Sequence, residues 1–550
     1  MWRQRGFKCE PMAGRLQRKL AAVVAFSLMI FLALALPFEI RPAEASGAIY
    51  IKADGSIKPL SAPISTIDNT TYLVTGKIND EIIVQRNSVT IEGNNQTVQG
   101  TGGGYGFTLN SVIGVLIREI NVKNFISGIW LYNSSNVHIV DNNITENTIN
   151  DISVYSSSNN IIERNYVAGS DCGIYLFSSQ GNSIHKNKID GASTTGILLD
   201  DSSNQNTITE NVFNGSGLLA QFSYQNFIEG NTVNGKPLVF LESLSHITVT
   251  EAGQVVLIKC NHIQIENLDL SHTSAGIELF ETIDSRITNN NITSNYFGIW
   301  LCGSSNNSIA ENNIAENDIG IWLWWSSSNK LFHNNMKNNT QQVHDPGWDD
   351  PELGSSVNTW DDGYPSGGNF WGDYNDTDVN CGPNQDINGS DGIGDIKHKI
   401  GMNNRDQYSL IAPFIVIDAG TWNGTAYNIG IQSNSTVSNL QIDTNQKSVT
   451  FDIVPSDSVY GFCRVTLPNV IVQGLWHGNF RVLLNNEERP FRNWTDTTNT
   501  YIYTNYSNSE QKMAIIPEFP SIMILSVFIT LSLLTLASSK HTNMRLRRLC

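Results

Sequence analysis

Three groups of residues in this 550-residue chain have the types and spacing to do chemistry. The first is acidic: Asp200 and Asp201 stand together, with Asp171 one repeat earlier. Two carboxyl groups held about 5–9.5 Å apart can cleave a glycosidic bond. Adjacent aspartates in a turn also serve simply as a solvated turn, and no Lys or Arg accompanies these positions to neutralise a uronate. The second group is aromatic. Trp130, Tyr175, Trp300 and Trp322 occupy one position of a recurring tetrad, and Tyr132, Tyr155, Phe177, Phe280 and Trp324 lie two residues further on. Exposed aromatic rows stack on sugar rings; the same rows could instead lie under a loop or a second domain. The third group is a loop rich in oxygen ligands: Asp386, Asn388, Ser390, Asp391 and Asp395, with glycines between them. Calcium loops are built this way. This one is a residue longer than the EF-hand pattern and lacks its terminal Glu, and the same residues could form turns that close the end of a domain.

The elements that must position these residues repeat along the chain. Gly128-Ile129-Trp130-Leu131 returns as Gly173-Ile174-Tyr175-Leu176, Gly196-Ile197-Leu198-Leu199, Gly276-Ile277-Glu278-Leu279, Gly298-Ile299-Trp300-Leu301 and Gly320-Ile321-Trp322-Leu323. Between tetrads runs Ile-x-x-Asn, as in Ile139 to Asn142, Ile162 to Asn165, Ile184 to Asn187, Ile287 to Asn290 and Ile309 to Asn312. A period of about 20–24 residues admits leucine-rich repeats or a parallel β-helix. No repeat contains a helix-length stretch, and period-2 alternation is everywhere, so short stacked strands are expected. Ile and Leu of each tetrad then point inward and force the aromatic positions outward. The recurring Asn is read as an inward amide ladder, each side chain bonding backbone and the next amide. Residues 46–345 are expected to form this solenoid, with less regular coils near 50–110 and 235–270. Residues 346–413 form an Asp- and aromatic-rich cap. Residues 414–512 lose the period and read as a β-sandwich module.

The ends carry different information. Residues 1–45 combine Arg and Lys, an apolar run from Leu20 to Leu36 and Ala43-Glu44-Ala45, the pattern of a secretory signal peptide. In residues 513–550, the apolar run from Ser521 to Ser539 is long enough to span a bilayer as a single helix, with basic residues after it that point to the cytoplasm. Formal charge is −17, and removing the basic ends makes the remainder more acidic still. Such a chain repels nucleic acid and attracts cations. Asn-x-Ser/Thr sequons, among them Asn133, Asn214 and Asn306, are acceptors for glycans in a secreted protein. Seven cysteines with no C-x-x-C spacing give neither a disulfide framework nor a zinc site.

The repeat resembles the NosD-type right-handed parallel β-helix family, also described as carbohydrate-binding and sugar-hydrolase repeats. Its terminal signature is matched by Asn358-Thr359-Trp360-Asp361-Asp362-Gly363-Tyr364, Gly368-Asn369-Phe370-Trp371-Gly372-Asp373-Tyr374, Asp391-Gly392-Ile393-Gly394-Asp395 and Asp406-Gln407-Tyr408-Ser409-Leu410. Ile516-Pro517-Glu518-Phe519-Pro520-Ser521 resembles an archaeal sorting signal of the PEF type. The resemblance implies an all-β surface protein anchored to the cell membrane, and the NosD name implies copper-site assembly. Copper calls for clustered His, Met or Cys; ten scattered His and eight Met leave copper unexpected and calcium the metal to test. The favoured reading is an extracellular, membrane-anchored protein that binds a polysaccharide or cell-envelope glycan, or serves a structural role, without covalent chemistry. The competing reading is a polysaccharide lyase, epimerase or glycoside hydrolase on the same scaffold; a copper accessory role is third.

Overall fold

The structure is a computed structural model that describes residues 47–454, 460–507 and 511–518. Its first arm is a parallel β-helix built from three stacks of short strands, with the tetrads in one stack: Ser127–Tyr132, Asn150–Tyr155, Cys172–Phe177 and Thr195–Asp200 pair in parallel, residue for residue. The alternation in the sequence explains the section. Ile129, Leu131, Ile174, Leu176, Ile197 and Leu199 are fully buried inside. Strand ends turn through residues in the left-handed region, such as Asn133, Ser156, Ser178 and Asp201, a conformation Asn and Asp tolerate better than most residues.

The asparagines form the ladder. Asn142, Asn165, Asn187, Asn211 and Asn231 are linked by Nδ2–H donation to the next Oδ1, each at 3.0 Å. Each Oδ1 also accepts the backbone N–H of the residue one coil earlier, as from Asn142 to Asn165 at 3.0 Å. A second series runs Asn290, Asn312, Asn334 and Asn369, and a third Asn307, Asn329 and Asn358. Asn358 and Asn369, which belong to the terminal signature, are thus the last rungs. They end on Asn404, which accepts the Asn358 N–H at 2.9 Å, and on Asp406, which accepts the Asn369 N–H at 2.7 Å. Trp360 and Trp371 close the core end, fully buried, their indole N–H groups donating to the same Asn404 and Asp406.

The solenoid is not continuous. At Asn234-Gly235, both with positive φ, the chain makes a hairpin in which Thr232–Val233 pairs antiparallel with Lys236–Glu242. Parallel coiling then resumes in a second arm, so one 13-stranded sheet runs through both. The last tetrad-stack strand of the first arm, Leu218–Ala220, is left with a free edge. Side chains from the outer face of the second arm close it. Gln254 accepts the Leu218 N–H at 2.9 Å and donates to the Leu218 carbonyl at 2.7 Å; Ser274 accepts the Gly217 N–H at 2.9 Å and Glu278 the Ala220 N–H at 3.2 Å. An unpaired buried backbone group is costly, and Gln254 supplies both halves of a strand partner.

Beyond the cap, two five-stranded antiparallel sheets share a core with the helix Asn469–Trp476. Arg464 of this sandwich is fully buried against the cap, donating to the carbonyls of Ser366 and Pro365 and lying over the Tyr501 ring. The last strand among the described residues is Gln511–Pro517, paired with Phe480–Leu484, so Ile516 and Pro517 of the proposed sorting signal belong to a strand of the sandwich. The signal-peptide segment 1–45 and the apolar run 521–539 lie outside the described residues. Among the described residues no helix is long and apolar enough to cross a membrane; the longer of the two α-helices has eight residues, against about 20 for a span. The expected transmembrane helix, and the membrane partner and anchored extracellular placement that rested on it, are therefore not borne out among the described residues.

Burial holds the Glu278 carboxyl up at about 8, against an ordinary value near 4.5. The folded state therefore retains this proton where the unfolded chain has lost it, so its contribution is full below about 4.5 and is lost as pH rises to about 8. Thermal unfolding should show Glu278→Gln with a shallower fall in Tm across this window than the parent chain. Gln254→Ala, which orphans two backbone groups, should lose about 1–3 kcal/mol at any pH.

Candidate active site

The outer face of the first arm carries the aromatic residues in two registered rows. One runs Thr108, Trp130, Ser153, Tyr175 and Leu198; the other runs Asn110, Tyr132, Tyr155, Phe177 and Asp200. Trp130 stacks on Tyr105 with centroids 5.0 Å apart and on Tyr132 at 5.6 Å, planes within 8°. Tyr155 meets Tyr175 edge to face at 5.4 Å. Tyr132 is exposed and Trp130, Tyr155, Tyr175 and Phe177 are half-buried, so this row borders solvent.

The second arm treats its aromatics differently. Trp300 pairs in register with Trp322 and Cys302 with Trp324, but all three tryptophans are buried. They belong to one apolar cluster with Leu199, Leu219 and Phe280, against which Leu198, Phe222 and Tyr296 pack. Phe222 meets Trp324 edge-on at 5.9 Å. The single exposed stripe expected from the tetrads is therefore divided. One part is open, and the other is covered where the arms meet.

At the boundary of the open part lies Asp200. Tyr175 donates its hydroxyl to Asp200 Oδ2 at 2.9 Å, and the Asp201 N–H donates to Oδ1 at 2.9 Å. Burial pushes this carboxyl up to about 6, against the lowering effect of those two bonds, and the neighbouring Asp201 adds to the rise. The Tyr175 and Tyr155 phenols are also raised, first by burial and then by charge nearby, Asp200 included. The site thus pairs a carboxyl that titrates close to neutrality with phenols that keep their protons, the components of general acid–base chemistry.

The other acidic candidates do not converge on it. Asp201 takes a left-handed turn conformation and accepts from Ser178 Oγ at 3.0 Å. Asp171 precedes Cys172, whereas Asp200 is in register with Phe177 at the far end of that strand; six strand steps put them roughly 20 Å apart. Sequence reasoning missed Asp151, which occupies the glycine position of its tetrad and points inward. It accepts from Asn147 Nδ2 at 2.7 Å and Ser170 Oγ at 2.8 Å, and burial raises it to about 7. The departure from Gly at that position was the available signal.

The oxygen-rich loop is organised around Asp378, a residue not singled out in the sequence. Asp378 accepts the N–H groups of Asp391 and Gly392 at 3.0 and 2.7 Å, and its own carbonyl accepts from Ser390 Oγ. Asp391 caps the Ile393 N–H, and Asp395 accepts from the Val379 N–H and from the Asn380 N–H and Nδ2. Asp386 and Asn388 are exposed. Among the described residues no group of three or more His, Cys, Asp or Glu side chains is placed to hold a metal ion. His246 and His262 do share a column on adjacent coils, but their rings stack 4.9 Å apart and within 5° of parallel. An ion bound by two imidazoles lies near both ring planes, and these planes do not converge. These two imidazoles are not placed to share a copper ion.

The family model described as "Right handed beta helix region" matches residues 48–213 and 105–252, and that described as "Periplasmic copper-binding protein (NosD)" matches residues 216–376. The chain is a right-handed parallel β-helix with a NosD-family region in its second arm and cap. No curated protein matches it. Among solved structures, it is similar to the A-module of a mannuronan C-5 epimerase of Azotobacter vinelandii, at 13% identity and a TM-score of 0.29, covering 53% of this chain and 88% of that one. An alginate lyase from a Paenibacillus species gives 14% identity and a TM-score of 0.23 over 54% of this chain and 92% of that one. A DFA-IIIase from Arthrobacter chlorophenolicus gives 13% and 0.23, and the chain spans just over half of it, 55%, with 42% of this chain covered. These likenesses concern the fold alone.

Removing the Tyr175 hydroxyl removes a bond that favours the Asp200 carboxylate. In Tyr175→Phe, the Asp200 carboxyl should therefore titrate above its present value of about 6, as followed by carbon-detected NMR of the side-chain carboxyls.

Proposed function

We propose that this protein is a polysaccharide-modifying enzyme, with Asp200 as its acid–base residue and the open aromatic rows as its sugar platform. The reading rests on one observation: a carboxyl on the outer face, raised by burial to about 6 and held by the Tyr175 hydroxyl, lies at the end of the row Tyr132, Tyr155 and Phe177. Above pH 6 the carboxylate accepts a proton from a sugar bound along that row, and Tyr175 keeps the acceptor oriented. Below pH 6 the protonated group is a donor. The aromatic rings supply apolar faces at strand spacings of about 4.8 Å along the helix axis, a repeat suited to a linear chain of pyranose rings. Trp130 and Tyr155 are the residues assigned to stacking, with Tyr132 at the solvent edge.

This replaces the reading of a membrane-anchored binding or structural protein. The anchoring in that reading called for a span that is absent from the described residues, and the binding in it rested on the aromatic rows alone and gave the outer-face carboxyl no role.

The test is turnover by the full chain on a panel of linear polysaccharides, followed by reducing ends, unsaturated products and sugar configuration, which distinguish hydrolysis, elimination and epimerisation. Asp200→Asn should reduce turnover by about 10²–10⁴-fold, and Trp130→Ala should weaken substrate binding. Unchanged turnover in Asp200→Asn would overturn the proposal, as would glycan binding with no turnover on the full panel.

A further inference from the structure

The coils that carry the open rows divide their charges by face. From Tyr105 to Ala220 they hold five cations, Arg118, Lys123, Arg164, Lys186 and Lys188, and none of the five belongs to the tetrad sheet. Arg118 ends the strand Leu116–Arg118 of a second sheet, while Lys123 and Lys188 lie in Asn121–Lys123 and Lys188–Asp190 of the third. Arg164 and Lys186 stand in the turns between those two sheets. Each is paired with an acid there: Arg118 with Glu92, Lys123 with Glu146, Arg164 with Asp141 and Glu163, Lys186 with Glu210 and Lys188 with Asp190.

The rows themselves hold one charged side chain, Asp200, among the rings and the uncharged Thr108, Asn110, Ser153 and Leu198. The charge acting on Asp200 is that of Asp201, which is also negative, and Asp200 in turn acts on Tyr155 and Tyr175. At the other end of the rows Thr108 donates to Glu81, again an acid. Further along the same sheet, Arg86 donates to the Ala53 carbonyl at 2.7 Å and Lys52 lies over the Tyr50 ring. Arg86 follows the strand Ile82–Val84, five coils from Asp200 and so roughly 24 Å away. On the second arm Lys259 lies over the Tyr224 ring at 3.5 Å and pairs with Glu281 at 3.8 Å.

This distribution selects the charge of the polymer. A chain with a carboxylate on every ring would lay a row of anions along a face whose cations are turned elsewhere, and would bring them against Asp200 and Asp201. A chain with an ammonium on every ring would meet acids only at the two ends, four coils or roughly 19 Å apart. The charges between would be desolvated against rings without a counter-ion. An uncharged sugar carries neither cost. Its apolar faces stack on the rings, and its hydroxyls meet neutral amide and hydroxyl groups at their edges. Resting on the reading of the Asp200 face as the sugar platform, we infer that the substrate is an uncharged linear polysaccharide, neither a polyuronate nor an aminosugar polymer.

The test is calorimetric titration of the full chain at about pH 7, above the Asp200 value of about 6. The ligands are neutral hexasaccharides of glucan, mannan and xylan type, with an oligouronate and a chitosan oligomer of equal length. At least one neutral hexamer should bind more tightly than either charged oligomer. Its affinity should hold constant from low to high salt, because no ion pair is there to be screened. Trp130→Ala should weaken it about 10-fold, the scale of one aromatic contact, and Tyr132→Ala, at an exposed position, should weaken it in the same direction. Tighter binding of the oligouronate or the chitosan oligomer, lost in these two variants, would overturn the inference while leaving the rows as the sugar platform. Neutral binding unaltered in both variants would also overturn it, since the sugar would then lie elsewhere. Binding by none of the oligomers would overturn this inference and the platform together. Neutral binding at the rows without turnover would support the inference and count only against catalysis at Asp200.

Discussion

An amide buried in the wall of a solenoid must find both a donor and an acceptor, and the coils above and below are the nearest source of each. The asparagine ladder follows from that constraint. Each Oδ1 accepts from the backbone and side chain of one neighbouring coil, while each Nδ2 donates onward. Neither bond survives a slip of one residue or a change of coil spacing, so the ladder sets the register of every outward position. The chain of amides must also end. Asp406 ends one series by accepting without handing an amide on: the Asn369 N–H and the Trp371 indole N–H both donate to its Oδ2. The terminal signature is thus a chemical stop for the ladder, with two tryptophans closing the apolar core behind it.

The same need for closure shapes the elbow. Once the hairpin at Asn234-Gly235 diverts the chain, the strand Leu218–Ala220 has no successor. Its N–H and C=O groups are met by Gln254, Ser274 and Glu278 from an outer face. An outer face that approaches this closely also buries what lies beside it, which is why Trp300, Trp322 and Trp324 pack inward on the junction. The first arm, whose outer face is met only at its last coils, keeps Trp130, Tyr132 and Tyr155 at the solvent boundary. Covered tryptophans and the Asp200 site at the end of a strand are consequences of one bend.

Much of this was legible in the sequence, because a repeat reports its own local packing. The tetrads gave the inward Ile and Leu, the spaced asparagines gave the ladder, and the loss of period near residue 414 marked the sandwich. The elbow was visible only as irregular spacing between residues 235 and 270. Trp130 and Trp300 occupy the same tetrad position with nearly identical flanks, yet one borders solvent and the other is buried. The difference comes from the meeting of two outer faces, an event that no local pattern encodes. Likewise Asp171, Asp200 and Asp201 look alike as turn acids. Burial at the edge of the arm junction, together with the Tyr175 hydroxyl one coil away, sets Asp200 apart. The oxygen-rich loop read as a ligand set because its residue types suit one, while the fold uses Asp391 and Asp395 to satisfy backbone N–H groups.

The carboxyls raised by burial fall into two classes that pH separates. Asp151, Asp378 and Asp406 are pushed to about 7 and Glu278 to about 8. For all four, burial is the leading cause, and each accepts hydrogen bonds from groups that the fold would otherwise leave unpaired. Each holds its proton in the folded state at pH values where the unfolded chain releases it. Their joint effect is a native state most stable on the acid side of neutrality and weakening as pH rises toward 8. Asp200 is raised to about 6 and sits on the outer face beside solvent-bordering rings. As pH rises, chemistry that requires the Asp200 carboxylate is switched on while the enclosed acids lose the protons that burial lets them keep, so activity and stability are pulled in opposite directions by the same physical cause.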